Sequence, residues 1–203
     1  MKQKSFLLVI LLASILAIFI MALFFNQTTS IIDSAEQLKL TPEELPEGWK
    51  EEQFVYLDNP VNFFETIVDH TEENAPNKNE SEKDRQRFQE LSTKLEELNV
   101  NNGAIQFLRK EVNGGTRGFI EIDMFVFDDG DFAKEYYNYE NGRYKGSEIH
   151  GLGDEASRYS DNPHASVRYL LRVSNAVFKI IVFKGEEEES RAIAERLVAK
   201  AES

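Results

Sequence analysis

Residues 6–25 are apolar at every position but Ser14, and no later stretch repeats that density. As a helix rising about 1.5 Å per residue, the run is roughly 30 Å long, the thickness of a bilayer's hydrocarbon core. Beyond it the apolar positions recur with shorter periods. Ile120, Ile122, Met124 and Val126 fall on one side of an extended segment, and Phe119, Glu121, Asp123, Phe125 and Phe127 on the other. That alternation predicts a strand with one wholly apolar face and one face carrying acids at its middle. Residues 104–112 and 118–128 then read as a hairpin closed by Asn113-Gly114-Gly115, whose glycines accept positive φ. A second pair, 167–173 and 176–183, turns at Ser174-Asn175, and its second member is almost continuously apolar, as a central strand is. It follows the segment 149–160. Upstream, 52–57 reads as a strand that Asn59-Pro60 breaks, with 63–68 a short strand or irregular edge.

The helical signals are fewer. Residues 71–84 hold no apolar side chain but Ala75 and read as an exposed loop. Ser81-Glu82-Lys83-Asp84 has the form of a capping box, followed by Phe88, Leu91, Leu95 and Leu98 at helical spacing. Asp131 reads as the cap of a helix over 132–141. A last helix over 186–201 turns Ile193, Ala194, Leu197, Val198 and Ala201 inward, with glutamates at its start and Lys200 in its last turn. The sum predicts an α+β fold: a mostly antiparallel sheet of five or six strands covered by about three helices, preceded by one transmembrane helix.

Charge supplies an address. Lys2 and Lys4 precede the apolar run, while residues 26–40 hold Lys39 against Asp33 and Glu36. The positive-inside tendency puts residues 1–5 in the cytoplasm, 6–25 across the membrane as an anchor or uncleaved signal, 26–40 outside as a tether, and 41–203 outside as one domain. Cleavage and secretion is the alternative, with a mature chain beginning near Ile31. A signal's apolar region is normally about 7–15 residues and ends in small side chains, whereas this run closes on Leu23, Phe24 and Phe25.

The net charge of −13 includes the cations Lys2 and Lys4, leaving −15 for the rest of the chain. A surface that acidic repels nucleic acid phosphates and anionic lipid headgroups. There is no cysteine, which excludes disulfides, thiolate catalysis and lipidation at a cysteine.

Candidate chemistry is sparse. Gly151-Leu152-Gly153-Asp154-Glu155-Ala156 lacks the third glycine of a dinucleotide fingerprint, and its acids repel an anion; Gly153, Asp154 and Glu155 read as a structural turn. Asp128-Asp129-Gly130-Asp131 fails the spacing of a calcium loop. His70, His150 and His164 share no ligand spacing, and no serine lies in a nucleophile elbow. No cofactor, metal or catalytic residue is assigned. Phe132, Tyr136, Tyr137 and Tyr139 crowd one predicted helix. They read either as the seam that buries it or as an aromatic-lined groove for an apolar or sugar ligand.

Leu45-Pro46-Glu47-Gly48-Trp49, a strand ending in Phe127-Asp128, a helix carrying Ala133, Gly153-Asp154-Glu155-Ala156, a hairpin pair and a terminal helix occur here in a recognisable order. The order resembles the small exported α/β domains of prokaryotic lipoproteins and of extracellular sensor domains of Ser/Thr kinases, whose fold is similar to the Mog1/PsbP-like sandwich. The resemblance covers residues 42–202 and departs in having neither a lipidated nor a paired cysteine. It implies a non-enzymatic ligand-binding or sensing module, attached to the membrane through residues 6–25, whose partner is an unknown small molecule or an envelope protein. An envelope scaffold acting through protein contacts is the alternative.

Overall fold

The alternating strand over residues 115–127 lies inside a seven-stranded sheet, beside its central strand. The computed structural model describes residues 31–66, 78–112, 115–144, 146–160, 167–184 and 187–203. Strands β1 (Trp49–Leu57), β2 (Val100–Val112), β3 (Gly115–Phe127), β4 (Ser147–Glu148), β5 (Glu155–Ser160), β6 (Val167–Val173) and β7 (Ala176–Lys184) lie in the order β1-β2-β3-β7-β6-β5-β4. Every pairing is antiparallel. The helices are α1 (Lys78–Glu97), α2 (Gly130–Tyr144) and α3 (Glu187–Ala201), and residues 60–66 form a further helical segment.

The two faces of β3 go to two separate cores. Ile120, Ile122, Met124 and Val126 pack with Phe178, Ile180 and Val182 of β7 and with Ile193, Leu197 and Val198 of α3. Phe125 and Phe127 pack on the other side with Leu91 and Leu95 of α1, Ala133, Tyr136 and Tyr137 of α2, and Phe64. A sheet covered on both faces makes three layers rather than a simple sandwich.

Beside α3, the first layer is completed by residues 31–40. Ile32, Ala35, Leu38 and Leu40 are buried in that core, so residues 31–40, expected as part of a tether, pack as a strap across the sheet. It forms no strand ladder. Three buried carboxamides take up its backbone instead. Asn175 Oδ1 accepts from the Ile32 N–H and its Nδ2 donates to the Ile32 carbonyl, both at 2.9 Å. Asn102 accepts from the Ala35 N–H at 2.7 Å and donates to the Asp33 carbonyl at 3.0 Å. Gln106 accepts from the Leu40 N–H at 3.1 Å and donates to the Leu40 carbonyl at 2.8 Å. A buried strap without a ladder would otherwise leave these groups unsatisfied, at a cost each of about 1–3 kcal/mol.

Among the described residues the strands number seven, with β4 and β5 both arising within 146–160, where a two-residue strand leaves no periodicity to read. Asn59-Pro60 does not merely break β1 but starts the helical segment at 60: Asn59 Oδ1 accepts the Asn62 N–H at 3.0 Å, and proline suits a first helical position. The expected strand over 63–68 is therefore helical through 66, and its last residues lie outside the described ones. Helix α1 begins at Lys78, so Ser81 lies inside it and residues 78–84 are not loop; the polar residues before Ser81 include no breaker after Pro76. The cap of α2 is Asp129, whose Oδ1 accepts from the N–H groups of Asp131 and Phe132, each at 2.9 Å.

The apolar run 6–25 lies outside the described residues. Among those described, no helix is long and apolar enough to cross a membrane.

Candidate functional site

Helix α2 crosses the sheet with its aromatic residues dealt to two sides. Ala133, Tyr136, Tyr137 and Glu140 follow helical spacing and are buried. Tyr136 sets its ring edge-on to Phe125 at 5.6 Å and tilted on Phe127 at 5.3 Å. Tyr137 reaches β5, where its hydroxyl is 2.7 Å from Ser157 Oγ. Burial raises the Tyr137 phenol above its ordinary value, partly opposed by that hydrogen bond. Phe132 is half-buried against the same cluster, as is Tyr139. The structure thus brings all four residues onto one helix, with Tyr136 and Tyr137 filling the core and Tyr139 carrying the seam to its rim.

Tyr139 floors a groove of about 420 Å³ between α1 and α2, within the range of small-ligand sites. From α1 it is walled by Gln86, Gln89, Glu90, Thr93 and Lys94, with Glu97 at one end. Leu91 and Leu95 bury the opposite side of that helix, which leaves this polar stripe outward. Two cations flank the ring: Lys94 Nζ lies 5.8 Å and Arg143 Cζ 5.4 Å from its centroid. Both are matched by acids. Lys94 bonds Glu135 at 2.9 Å and Glu97 at 3.4 Å, and the Glu135 hydrogen bond raises its pKa most. Arg143 lies 3.5 Å from Glu90 and 3.7 Å from Glu140, and donates to the Tyr139 hydroxyl at 3.0 Å.

Glu140 leads inward from the groove. Beneath α2, Lys179 of β7 stands directly opposite Asp123 of β3, its Nζ 2.9 Å from Asp123 Oδ2. Burial alone would drive this ammonium towards neutrality, but the charges of Asp123 and Glu140 outweigh it and hold the pKa above its ordinary value. Asp123 Oδ1 is buried without a hydrogen-bond partner among the described residues. The acid in the middle of β3 was visible in the sequence; its cation, 56 positions away along the chain, carried no local signal.

The turn read at Gly153-Asp154-Glu155 docks on the β6–β7 hairpin. Gly153 has φ +65°, the left-handed region that glycine enters without strain. Asp154 Oδ2 accepts from the Ser174 N–H at 2.6 Å and lies 3.2 Å from Arg172, whose Nε donates to Glu155 at 2.6 Å. His150 is exposed, 3.4 Å from Glu148; His70 and His164 lie outside the described residues. Among the described residues no group of three His, Asp or Glu is placed to hold a metal ion.

No protein-family model matches this chain, and no curated protein matches it. Its structure is similar to that of the extracellular domain of PknH from Mycobacterium tuberculosis, with 8% sequence identity and a TM-score of 0.51, over 85% of this chain and 98% of that one. At that identity the likeness is one of fold.

Proposed function

We propose that this protein is a non-enzymatic, extracytoplasmic ligand-binding or sensing domain, held at the membrane by residues 6–25, and that the groove floored by Tyr139 is its site. The observation that carries the reading is the likeness of fold to an extracellular domain along nearly that domain's whole length. The apolar run behind two lysines supports the same address. The groove supports binding, because its cations are each engaged by carboxylates and its described lining holds no serine, cysteine or histidine.

Two measurements test this. Alkaline phosphatase fused after Ser203 is active only when exported; an active fusion in the membrane fraction is expected, and an inactive one overturns the address. A thermal-shift screen of the full chain against sugars, lipids and metal ions should find one class that raises Tm. If none does and another envelope protein co-purifies instead, the chain is a scaffold; the charge of −15 outside the first thirty residues, which suits a basic protein face, favours that second reading.

A further inference from the structure

We infer that the groove between α1 and α2 takes a neutral oligosaccharide, stacked on Tyr139 and hydrogen-bonded by the polar stripe of α1; this rests on the binding reading above. The chemistry of the walls excludes the other ligand classes in turn. An apolar ligand finds one ring and the aliphatic stems of the wall, but it would also bury the hydrogen-bonding heads of Gln86, Gln89, Glu90, Thr93 and Lys94, whose desolvation it could not repay. An anion meets a domain of net charge −15, and the two local cations are already matched by Glu90, Glu97 and Glu135. A cation would have to enter beside Lys94 and Arg143, whose like charges repel it.

What remains is a ligand that is uncharged, rich in groups that both donate and accept, and flat enough on one side to lie on a ring. A pyranose has that make-up: hydroxyls around its edge and a patch of C–H groups on its face. The α1 stripe suits it. Gln86, Gln89 and Glu90 recur at three- and four-residue spacing on one side of the helix, and Thr93 and Lys94 extend that side by another turn. Successive sugar units can thus be met along the helix, with Tyr139 as the fixed platform. Gln86 donates to one Glu90 oxygen at 3.1 Å and Arg143 lies 3.5 Å from the other, which leaves the Gln86 carbonyl to face hydroxyl groups.

The test uses the full chain, purified in a detergent without a sugar headgroup, and titrates cello-, malto- and chito-hexaose by calorimetry and saturation-transfer NMR. One of the three is expected to bind, and Tyr139→Ala to weaken it by about tenfold, the loss expected of one aromatic platform. Gln89→Ala should weaken it as well; Tyr56→Ala, an exposed ring on β1, should not. Sedimentation with purified peptidoglycan tells a wall glycan from a free sugar, and a Tyr139-dependent result with either source supports the proposal. Saccharide binding that survives both groove variants overturns it. So does a screen in which another ligand class binds and depends on Tyr139, although the binding reading would then stand. If no ligand of any class binds, both fail.

Discussion

Asp123 and Lys179 face each other across β3 and β7, carboxylate to ammonium at 2.9 Å, with both side chains more than nine-tenths buried. Such a pair contributes little net stability, yet leaving either charge alone costs about 3–5 kcal/mol. Lys179→Met is expected to destabilise by that amount in urea unfolding, and Asp123→Leu with Lys179→Met to recover most of the loss. A double variant as unstable as the single one would mean that the pair is not coupled as its geometry implies.

Asn175 holds the start of the strap at Ile32 and also donates to the Phe127 carbonyl at 2.7 Å. Asn175→Ala strands the Ile32 N–H and two carbonyls, for an expected loss of about 2–4 kcal/mol. Hydrogen exchange at the Ile32, Ala35 and Leu40 amides reports the same event locally. Wild-type protection at those three in the variant would show that the carboxamide is dispensable.

Gly151 and Gly153 offer an internal comparison. Both have positive φ, but a Cβ at Gly151 meets nothing within 4 Å, whereas one at Gly153 would lie 2.8 Å from the Arg172 carbonyl oxygen. Gly151→Ala should cost about 1 kcal/mol, from φ alone, and Gly153→Ala about 2–4 kcal/mol once the close approach is added. Thermal unfolding of the two variants side by side checks the order.

Stability at acid pH draws on Glu44. Its carboxylate accepts from Lys200 with both oxygens at 2.8 Å and from the Thr41 N–H at 2.7 Å, and these hold its pKa below the ordinary 4.5. A carboxyl lowered on folding stabilises above that ordinary value and loses its contribution as pH falls through the folded one. Glu44→Gln should therefore flatten the acid limb of the stability curve. The side chain is about one-third exposed, so screening keeps the effect to less than about 1 kcal/mol.

The alkaline limb belongs in part to Tyr137. A buried phenol with a raised pKa keeps its full contribution below about pH 10 and loses it as pH rises through the folded value. In Tyr137→Phe that share of the alkaline loss should disappear, and ultraviolet absorbance should show one late-titrating tyrosine fewer. An unchanged titration would place the late phenol elsewhere.

How far the chain could be read follows from the range of each interaction. The alternation in β3, the β6–β7 hairpin and the inward face of α3 were legible, because side-chain period and burial are local properties. Helix α2 was legible as a helix, but its cap was misplaced by two residues, since Asp129 and Asp131 are equally good caps until the backbone selects one. The four aromatic residues of that helix were seen, whereas the division between Tyr136 in the core and Tyr139 at the groove depends on where α1 comes to lie. The polar stripe of α1 gave no sign of a site, because a solvated helix face and a groove wall have the same composition.

The sequence by itself determined an apolar segment of membrane-spanning length, a cysteine-free acidic domain after it, and the periodicities that make its strands and helices. Only the tertiary structure decided that residues 31–40 are a strap, that Asn102, Gln106 and Asn175 hold it, and that Lys179 answers Asp123. The physical reason is that these partnerships join groups up to 143 positions apart. A buried polar group needs a partner wherever the fold can bring one, and nothing in the neighbouring residues says which partner that will be.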